Sequence, residues 1–217
     1  MKEIWFNWKF NWEWVSQIAT KRDWRHLELI IKPPVNLMQI NDLELEMNIT
    51  FPKDFKDVLT QFSSAVDLRW YVENEETEEG LENVYFGGEN LWNFEDLKDI
   101  YEAYKGWKEI AEEFEDEHVN FWQNKVPFMS LPNGDIIAFD DFTNNVIYLS
   151  HDGHEFHGKK LANSFTDFIS KWSELGCPGP ECWILMHFYN YEMNEIDPKV
   201  SRALKWRKWL ENLNYVQ

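Results

Sequence analysis

Apolar residues recur along this chain with two different spacings, and each spacing predicts a different type of secondary structure. Between residues 4 and 14 every second residue is apolar, namely Ile4, Phe6, Trp8, Phe10, Trp12 and Trp14. Asparagine, lysine and glutamate occupy most of the positions between them. A period of two predicts a β-strand with one apolar face, and the sequence leaves open whether that face is buried in the core or forms an interface. The apolar residues Leu27, Leu29 and Ile31 predict that a second strand follows.

Three later segments show the spacing of three and four residues that is typical of an amphipathic helix. They cover 36–47, 52–63 and a stretch that begins after Asn93, whose side chain can cap the first turn. Gly106 is expected to interrupt the third helix. The buried stripe of that helix is predicted to comprise Leu97, Ile100, Tyr101, Tyr104, Trp107, Ile110, Ala111 and Phe114.

Shorter apolar runs predict strands at 66–72, 136–139 and 146–149, and turn-forming residues between the last two predict a hairpin. A serine and a glycine bound an amphipathic helix at 164–176. The charged stretch 73–80 has no apolar period and predicts an exposed loop. We therefore expect a single α+β domain in which helices pack against a mixed or antiparallel sheet.

Breaks in this pattern divide the chain into three parts. Residues 1–35 are expected to form an N-terminal aromatic extension packed on the core, and residues 36–176 the main domain. Residues 177–217 form a C-terminal extension, in which 198–210 predicts a basic helix. That helix could contact a membrane or nucleic acid, but we expect it to dock on the acidic body of its own chain.

The composition supports a folded chain with one core. The 217 residues suit one domain, and 44% of them are hydrophobic, which is enough material for a core. The 13 tryptophans exceed what a core of this size needs. Tryptophan is a preferred anchor of protein interfaces, so the aromatic content favours a protein partner.

Charge narrows the choice of partner. The net charge is −18, and the stretch from Asp67 to Glu117 carries −14 of it, with 18 acidic and 4 basic residues. A protein this acidic repels nucleic acid and anionic membranes, and it attracts basic partners. The N-terminus lacks the apolar core of a signal peptide, and no apolar run has transmembrane length. We therefore expect a cytoplasmic protein whose Cys177 and Cys182 are free thiols.

Five short motifs follow one another between residues 49 and 168. The first is the helix start Ile49-Thr50-Phe51-Pro52-Lys53-Asp54-Phe55, and the others are Val126-Pro127-Phe128, Asn133-Gly134-Asp135, His151-Asp152-Gly153 and Leu161-Ala162-Asn163-Ser164-Phe165-Thr166-Asp167-Phe168. In their order and spacing they resemble the SUKH superfamily, of the Smi/Knr cell-wall-regulator type. The chain departs from the family pattern at Phe51, where leucine is usual, in lacking a glycine near 63–64, and in its two extended ends.

The resemblance implies a SUKH-like α+β fold, with helices against a mixed sheet, and a function in binding rather than catalysis. Most bacterial members are similar to immunity proteins of polymorphic toxin systems, which bind a cognate toxin domain, often a nuclease, and block it. Fungal members resemble regulatory scaffolds, and this is the alternative function. The resemblance carries over no catalytic residue, so we expect neither an enzymatic activity nor a cofactor.

The acidic middle of the chain is the predicted partner-binding face. Clustered carboxylates can occupy the basic groove of a nuclease as a phosphate mimic. Aromatic residues interleaved with the acids can anchor such a contact. The predicted contact residues are Glu75, Glu76, Glu78, Glu79, Glu82, Tyr85, Trp92 and Trp107.

A histidine cluster supplies the competing hypothesis of a metal-dependent enzyme. His151, His154 and His157, together with Asp152, could hold zinc. However, a zinc site usually recruits a ligand from elsewhere in the chain, and none is evident. An Asp-Gly pair after a strand is also typical of a turn. We therefore expect a polar turn here and no bound metal.

Overall fold

The fold divides into two units, each built from segments that are distant in sequence. The structure is a computed structural model that describes residues 2–72, 88, 90–113 and 119–212. Unit 1 comprises Met1–Ile30, Val66–Leu91 and Ile169–Gln217, and unit 2 comprises Ile31–Ala65 and Trp92–Phe168. The two ends of the chain therefore belong to the same unit.

Eight α-helices occur in the described residues. They are α1 (Lys2–Lys21), α2 (Leu37–Met47), α3 (Lys53–Gln61), α4 (Leu97–Glu113), α5 (Val119–Trp122), α6 (Phe165–Glu174), α7 (Cys182–Leu185) and α8 (Ser201–Glu211). Short 3-10 helices precede α4 at Phe94–Asp96 and follow α7 at Met186–Phe188. Across the described ranges, none of the helices is both long and apolar enough to cross a membrane.

The strands form antiparallel sheets. They are β1 (Ile30–Ile31), β2 (Ala65–Asp67), β3 (Asn90–Asn93), β4 (Lys125–Ser130), β5 (Ile136–Asp140), β6 (Val146–Leu149), β7 (Lys160–Ala162), β8 (Tyr189–Asn190) and β9 (Glu195–Ile196). Their orders are β1-β2-β3, β4-β5-β6-β7 and β8-β9. All pairings in the second and third sheets are antiparallel. The predicted α+β class is confirmed.

The N-terminal segment is helical, so the strand predicted at residues 4–14 is wrong. Phe6 and Phe10, which the strand prediction placed on the buried face, are 70% and 58% exposed. The segment is so rich in aromatic residues that it fits both periods, and packing within unit 1 selects the helical one. Two of the buried indole N–H groups donate to the hydroxyls of Ser170 and Ser173 over 2.8 Å. The buried residues of α1 are Trp5, Trp8, Trp12, Val15, Ile18 and Ala19.

Four tryptophan rings form a closed stack in the core of unit 1. The pairs Trp24–Trp70, Trp70–Trp206, Trp206–Trp209 and Trp209–Trp24 have ring centroids 5.2–6.3 Å apart. The guanidinium of Arg22 lies 5.1 and 4.5 Å from two of these rings, and it donates to the Asn212 carbonyl over 3.0 Å. Aromatic faces and the carbonyls at a helix C-terminus both stabilise a buried cation. Arg22 thus attaches the end of α8 to the end of α1.

The C-terminal basic helix docks through its apolar side. Helix α8 buries Ala203, Trp206, Trp209 and Leu210, whereas Arg202, Lys205 and Lys208 are exposed. Docking on the chain's own body was the expectation, and it is observed within unit 1. Its main cause is the burial of apolar surface, which contributes about 25 cal/mol per Å², rather than the opposite charge on which the expectation depended.

In unit 2, the sheet β4-β5-β6-β7 lies between two apolar layers. Alternate residues of a strand point to opposite faces. On one face, Ile136, Ala138, Ile147 and Leu149 pack against Tyr104, Ala111 and Trp122 of α4 and α5. On the other face, Phe128 and Phe139 meet Phe55 of α3 and Phe165 of α6, with ring centroids 4.4–6.2 Å apart. The predicted hairpin of β5 and β6 is confirmed by its antiparallel register.

Two of the predicted helices are confirmed and the third is longer than expected. Helices α2 and α3 match the segments predicted at 36–47 and 52–63. Helix α4 continues through Gly106, so the predicted interruption is wrong. Ile110, predicted on the buried stripe, is 45% exposed. Phe114 lies outside the described residues.

The strands predicted between residues 27 and 72 are shorter in the structure. The second strand contracts to Ile30–Ile31, and the strand at 66–72 contracts to Ala65–Asp67. An isolated bridge between His26 and Trp70 extends the pairing in unit 1. The loop predicted at 73–80 lies outside the described residues.

Candidate functional site

Within the acidic stretch Asp67–Glu117, helix α4 is the longest element that the structure describes. Its buried residues, Leu97, Ile100, Tyr104 and Ala111, lie on one side of the helix. Four of its five exposed acids follow at spacings of three, seven and four residues, which places them on the opposite side. They are Asp99, Glu102, Glu109 and Glu113, and we call them the α4 acidic face.

The lysines of α4 do not neutralise this face. Lys98 pairs with Glu46 of α2, Lys105 with Glu102 over 2.7 Å, and Lys108 with Glu112 over 3.9 Å. The hydrogen bond with Glu102 raises the pKa of Lys105 above its usual range. Each lysine thus compensates one carboxylate. Among the residues that the structure describes, Asp99, Glu109 and Glu113 have no ion pair, so the face remains negative.

Gly106 lies on the same side of α4 as the α4 acidic face. No neighbouring group would clash with a side chain at this position. A Cβ built on Gly106 would meet no atom within 4 Å beyond its own helix backbone and chain neighbours. Glycine in a helix interior costs about 0.5–1 kcal/mol relative to alanine. The fold of unit 2 therefore does not require glycine at this position.

We expect Gly106→Ala to raise the free energy of unfolding by about 0.5–1 kcal/mol, since it removes backbone entropy from the unfolded chain and meets open space. The matched control is Ala103→Gly, at an exposed position of the same helix, which should lower stability by a similar amount. Denaturant titration measures both. A destabilised Gly106→Ala variant would contradict the open environment described above.

An open cleft adjoins the α4 acidic face. It has a volume of about 750 Å³ and lies between α2, α4 and the start of β4. Tyr104 forms part of its lining, and its hydroxyl donates to the Trp122 carbonyl. Burial raises the pKa of Tyr104 to about 12, so the hydroxyl stays protonated at neutral pH. The Tyr101 ring stacks on Tyr104 at 6.0 Å, and Lys105 lies 5.3 Å from the Tyr101 ring.

The α2 wall of the cleft is held in place by the first family-like motif. Asn48 ends α2 in a left-handed conformation with a φ of 54°. The Glu44 carboxylate then accepts a hydrogen bond from Phe51 N over 2.6 Å and pairs with Lys56 over 3.1 Å. These bonds fix the segment 48–52, including the cleft residues Ile49 and Thr50.

The β4 wall is held by an ion pair. Lys125 lies 3.1 Å from Asp140, and both side chains are largely buried. Burial by itself would raise the pKa of Asp140, but hydrogen bonds from Thr143 and Lys125 outweigh it and hold the pKa below its usual value. Asp140 is therefore ionised at neutral pH, and the positive charge of Lys125 is compensated.

The predicted contact residues fall into three groups. Glu75, Glu76, Glu78, Glu79, Glu82 and Tyr85 lie outside the described residues. Trp92 belongs to the core of unit 2, because it is 1% exposed and its indole donates to the Ser63 carbonyl over 3.1 Å. Trp107 is half-buried and lies against the His151 ring, with centroids 4.9 Å apart. Among the predicted aromatic anchors that the structure describes, Trp107 alone is partly exposed to solvent.

The histidine cluster is a set of separate structural contacts. His151 Nδ1 lies 2.7 Å from Asp135, His154 Nδ1 accepts from Phe156 N over 3.2 Å, and His157 Nδ1 accepts from Ser150 N over 2.9 Å. The described residues contain no group of three or more metal-ligating side chains close enough to share an ion. Within that part of the chain, the three imidazoles stabilise the turn after β6.

Asp135 organises a buried network that the sequence did not predict. This 1%-exposed carboxylate accepts hydrogen bonds from Tyr148 Oη, from Asn133 Nδ2 over 2.7 Å, and from both the backbone N and the ring Nδ1 of His151. The motifs at 133–135 and 151–153 are thus joined by hydrogen bonds where β5 begins and β6 ends. The signal was available in the sequence as two turn motifs flanking the hairpin, but their mutual contact was not.

Comparison with known families agrees with this arrangement of motifs. The family model for SMI1 / KNR4 (SUKH-1) matches residues 34–171. The chain belongs to this family. The SUKH-1 match contains α2, α3, α4, the sheet β4-β5-β6-β7 and the first part of α6. The α4 acidic face, the cleft and the Asp135 network therefore all lie inside the SUKH-1 segment, whereas α1, α7 and α8 lie outside it. No curated protein matches the chain.

Proposed function

We propose that this SUKH-1 protein is a non-enzymatic immunity protein of the cytoplasm that binds and neutralises a basic toxin domain, such as a nuclease. The α4 acidic face is the observation that carries the proposal. Its carboxylates are exposed and lie on one side of a regular helix, and among the described residues one of the four, Glu102, pairs with a lysine. Family membership supports a binding role, because bacterial SUKH proteins are similar to immunity proteins.

Electrostatic complementarity supports this role. A nuclease must present a basic groove to its substrate, and a row of carboxylates along a rigid helix can occupy that groove in place of phosphates. Such charges mainly increase the rate of association and determine which partners bind. Ile110, 45% exposed beside the acids, offers the apolar contact that would slow dissociation.

The acidic loop predicted at residues 73–80 is a second candidate for the contact. The next described residue after it, Gly88, belongs to unit 1, whereas α4 belongs to unit 2. Gly88 N donates to the Trp70 carbonyl over 2.7 Å, and a Cβ on Gly88 would lie 2.5 Å from both Leu68 O and the Trp70 ring. Only glycine fits this approach. The acidic stretch therefore enters both units, and its two parts must be tested separately.

The test requires the cognate toxin domain, which is to be sought among the products of the genes that adjoin the gene for this protein. Cells that express this domain should grow when the parent chain is co-expressed. The variant Asp99→Lys, Glu102→Lys, Glu113→Lys should protect them poorly, and its association with the purified toxin domain should be at least about tenfold slower at low salt, with a flatter salt dependence. The control Glu3→Lys, Glu13→Lys, Glu192→Lys makes the same charge change at exposed positions of unit 1.

Two outcomes would count against this proposal. If the folded α4 variant protects cells and associates as fast as the parent, the α4 acidic face is not the contact. If the control variant loses protection equally, total charge rather than a particular surface is responsible. Reversal of Glu75, Glu76, Glu78, Glu79 and Glu82 to lysine, measured in the same assays, tests the loop independently and is expected to slow association.

A further inference from the structure

We propose that the cleft between α2, α4 and the start of β4 receives a basic amphipathic segment of the protein partner, with Leu45 as its apolar anchor and Asp141 as an acceptor for a partner cation. This inference rests on the proposed function in supposing a protein partner. It adds a further contact surface, formed partly by α2 and the start of β4, to which the sequence assigned no role in binding.

The apolar anchor of the proposed contact is Leu45. It lines the cleft and is 82% exposed, the largest exposure among the exposed large apolar residues of the described chain. Single exposed leucines are common and need no explanation. Leu45 differs because it stands at the mouth of a cleft of about 750 Å³, next to the half-buried Ile49. An apolar side chain entering the cleft would cover both residues.

Charge in the cleft selects a cationic segment. Its three lysines are already engaged, with Lys105 on Glu102, Lys108 on Glu112 and Lys125 on Asp140. An anion would have to displace one of these carboxylates. The cleft residues Glu109 and Asp141, in contrast, are exposed and have no ion pair within the described part of the chain. A partner arginine or lysine can therefore bind without breaking an existing pair.

The cleft is also preformed. The α2 wall is fixed by the bonds of Glu44 to Phe51 and Lys56, the β4 wall by the pair of Lys125 and Asp140, and the lining by Tyr104 on Trp122. A partner segment then binds without ordering these elements first, which lowers the entropic cost of association. Peptide segments commonly bind in grooves through a few apolar anchors, and this cleft offers Leu45 and Ile49 as apolar contacts within a largely polar lining.

The probe is a synthetic amphipathic peptide of leucine, alanine and arginine, titrated into the full chain and followed by backbone amide NMR shifts. We expect saturable shifts at Leu45, Ile49 and Asp141. Leu45→Ser and Asp141→Lys should each weaken binding about tenfold, because each removes one anchoring contact. The matched control Leu37→Ser, at an exposed position of α2 outside the cleft, should change affinity by less than about twofold.

Three outcomes of the peptide titration would overturn the proposal: unchanged binding by Leu45→Ser, equal binding of a peptide with glutamate in place of arginine, or shifts confined to unit 1. Shifts that appear without peptide as the protein is concentrated would assign the cleft to a second copy of the chain, and would also overturn it. The peptide result is independent of the α4 triple variant in cells. Either proposal can thus fail while the other stands.

Discussion

Truncation of Trp172 to alanine is expected to lower the free energy of unfolding by about 3–5 kcal/mol. Trp172 lies on α6, is 0% exposed, and its indole donates to the Pro178 carbonyl over 2.9 Å. Its own carbonyl accepts from Cys177 N over 2.9 Å where α6 ends. The substitution would leave a large cavity in unit 1 and remove the partner of a buried carbonyl, and these two costs add.

Trp183→Ala is the control for this prediction. Trp183 is 45% exposed on α7, so its truncation should change stability by no more than about 0.5–1 kcal/mol. Trp172→Phe retains part of the packing and removes the indole N–H, so it should fall between the two. Calorimetry and denaturant titration provide the measurements. A melting temperature of Trp172→Ala equal to that of the parent would refute the burial of this residue.

Replacement of Asp135 by alanine is expected to cost about 3–5 kcal/mol, because it removes a buried carboxylate and leaves several donors without their acceptor. The donors are the hydroxyl of Tyr148, the amide of Asn133, and the backbone and ring nitrogens of His151. Because these groups connect β5, β6 and the turns at their ends, we expect loss of packing around the hairpin.

Asp135→Asn distinguishes the effect of side-chain volume from the effect of the carboxylate's charge and acceptor oxygens. It keeps the volume of the side chain but replaces one acceptor oxygen by a donor, so it should cost about 1–3 kcal/mol. Asp42→Ala removes an exposed carboxylate of α2 in the same unit and should be nearly neutral. Thermal unfolding of the three variants measures the order of their stabilities. Equal stability of Asp135→Ala and Asp42→Ala would mean that the network does not support the fold.

The elements that the sequence predicted correctly are those whose signals are local. The hairpin of β5 and β6 follows from two apolar runs around a turn, and α2 follows from its apolar spacing. In the structure α2 is also capped by Asn36, which forms a capping box with Gln39. Helix α3 begins after Pro52, as the first family-like motif requires. Propensity, capping and turn chemistry act within a few residues, so they are visible without knowledge of the fold.

The wrong predictions concern residues whose sequence pattern fits two structures, of which packing stabilises one. Residues 4–14 fit the period of a strand, yet α1 forms because its tryptophans meet Ser170 and Ser173 more than 150 positions away in the chain. Ile110 fits the buried stripe of α4 but is exposed, because the helix runs straight through Gly106. Trp92 fits an interface anchor and is a core residue.

Residue order and composition alone established the α+β class, the resemblance to the SUKH superfamily, the strong negative charge and its concentration between Asp67 and Glu117. These properties depend on composition and on short-range order, which do not change when the chain folds. The folded structure was needed to show that the acidic stretch enters two units, that four acids of α4 share one exposed side, and that Leu45 and Asp141 line the same cleft. Contacts between distant residues depend on which apolar faces bury one another, and many sequences of similar periodicity satisfy that condition in different ways.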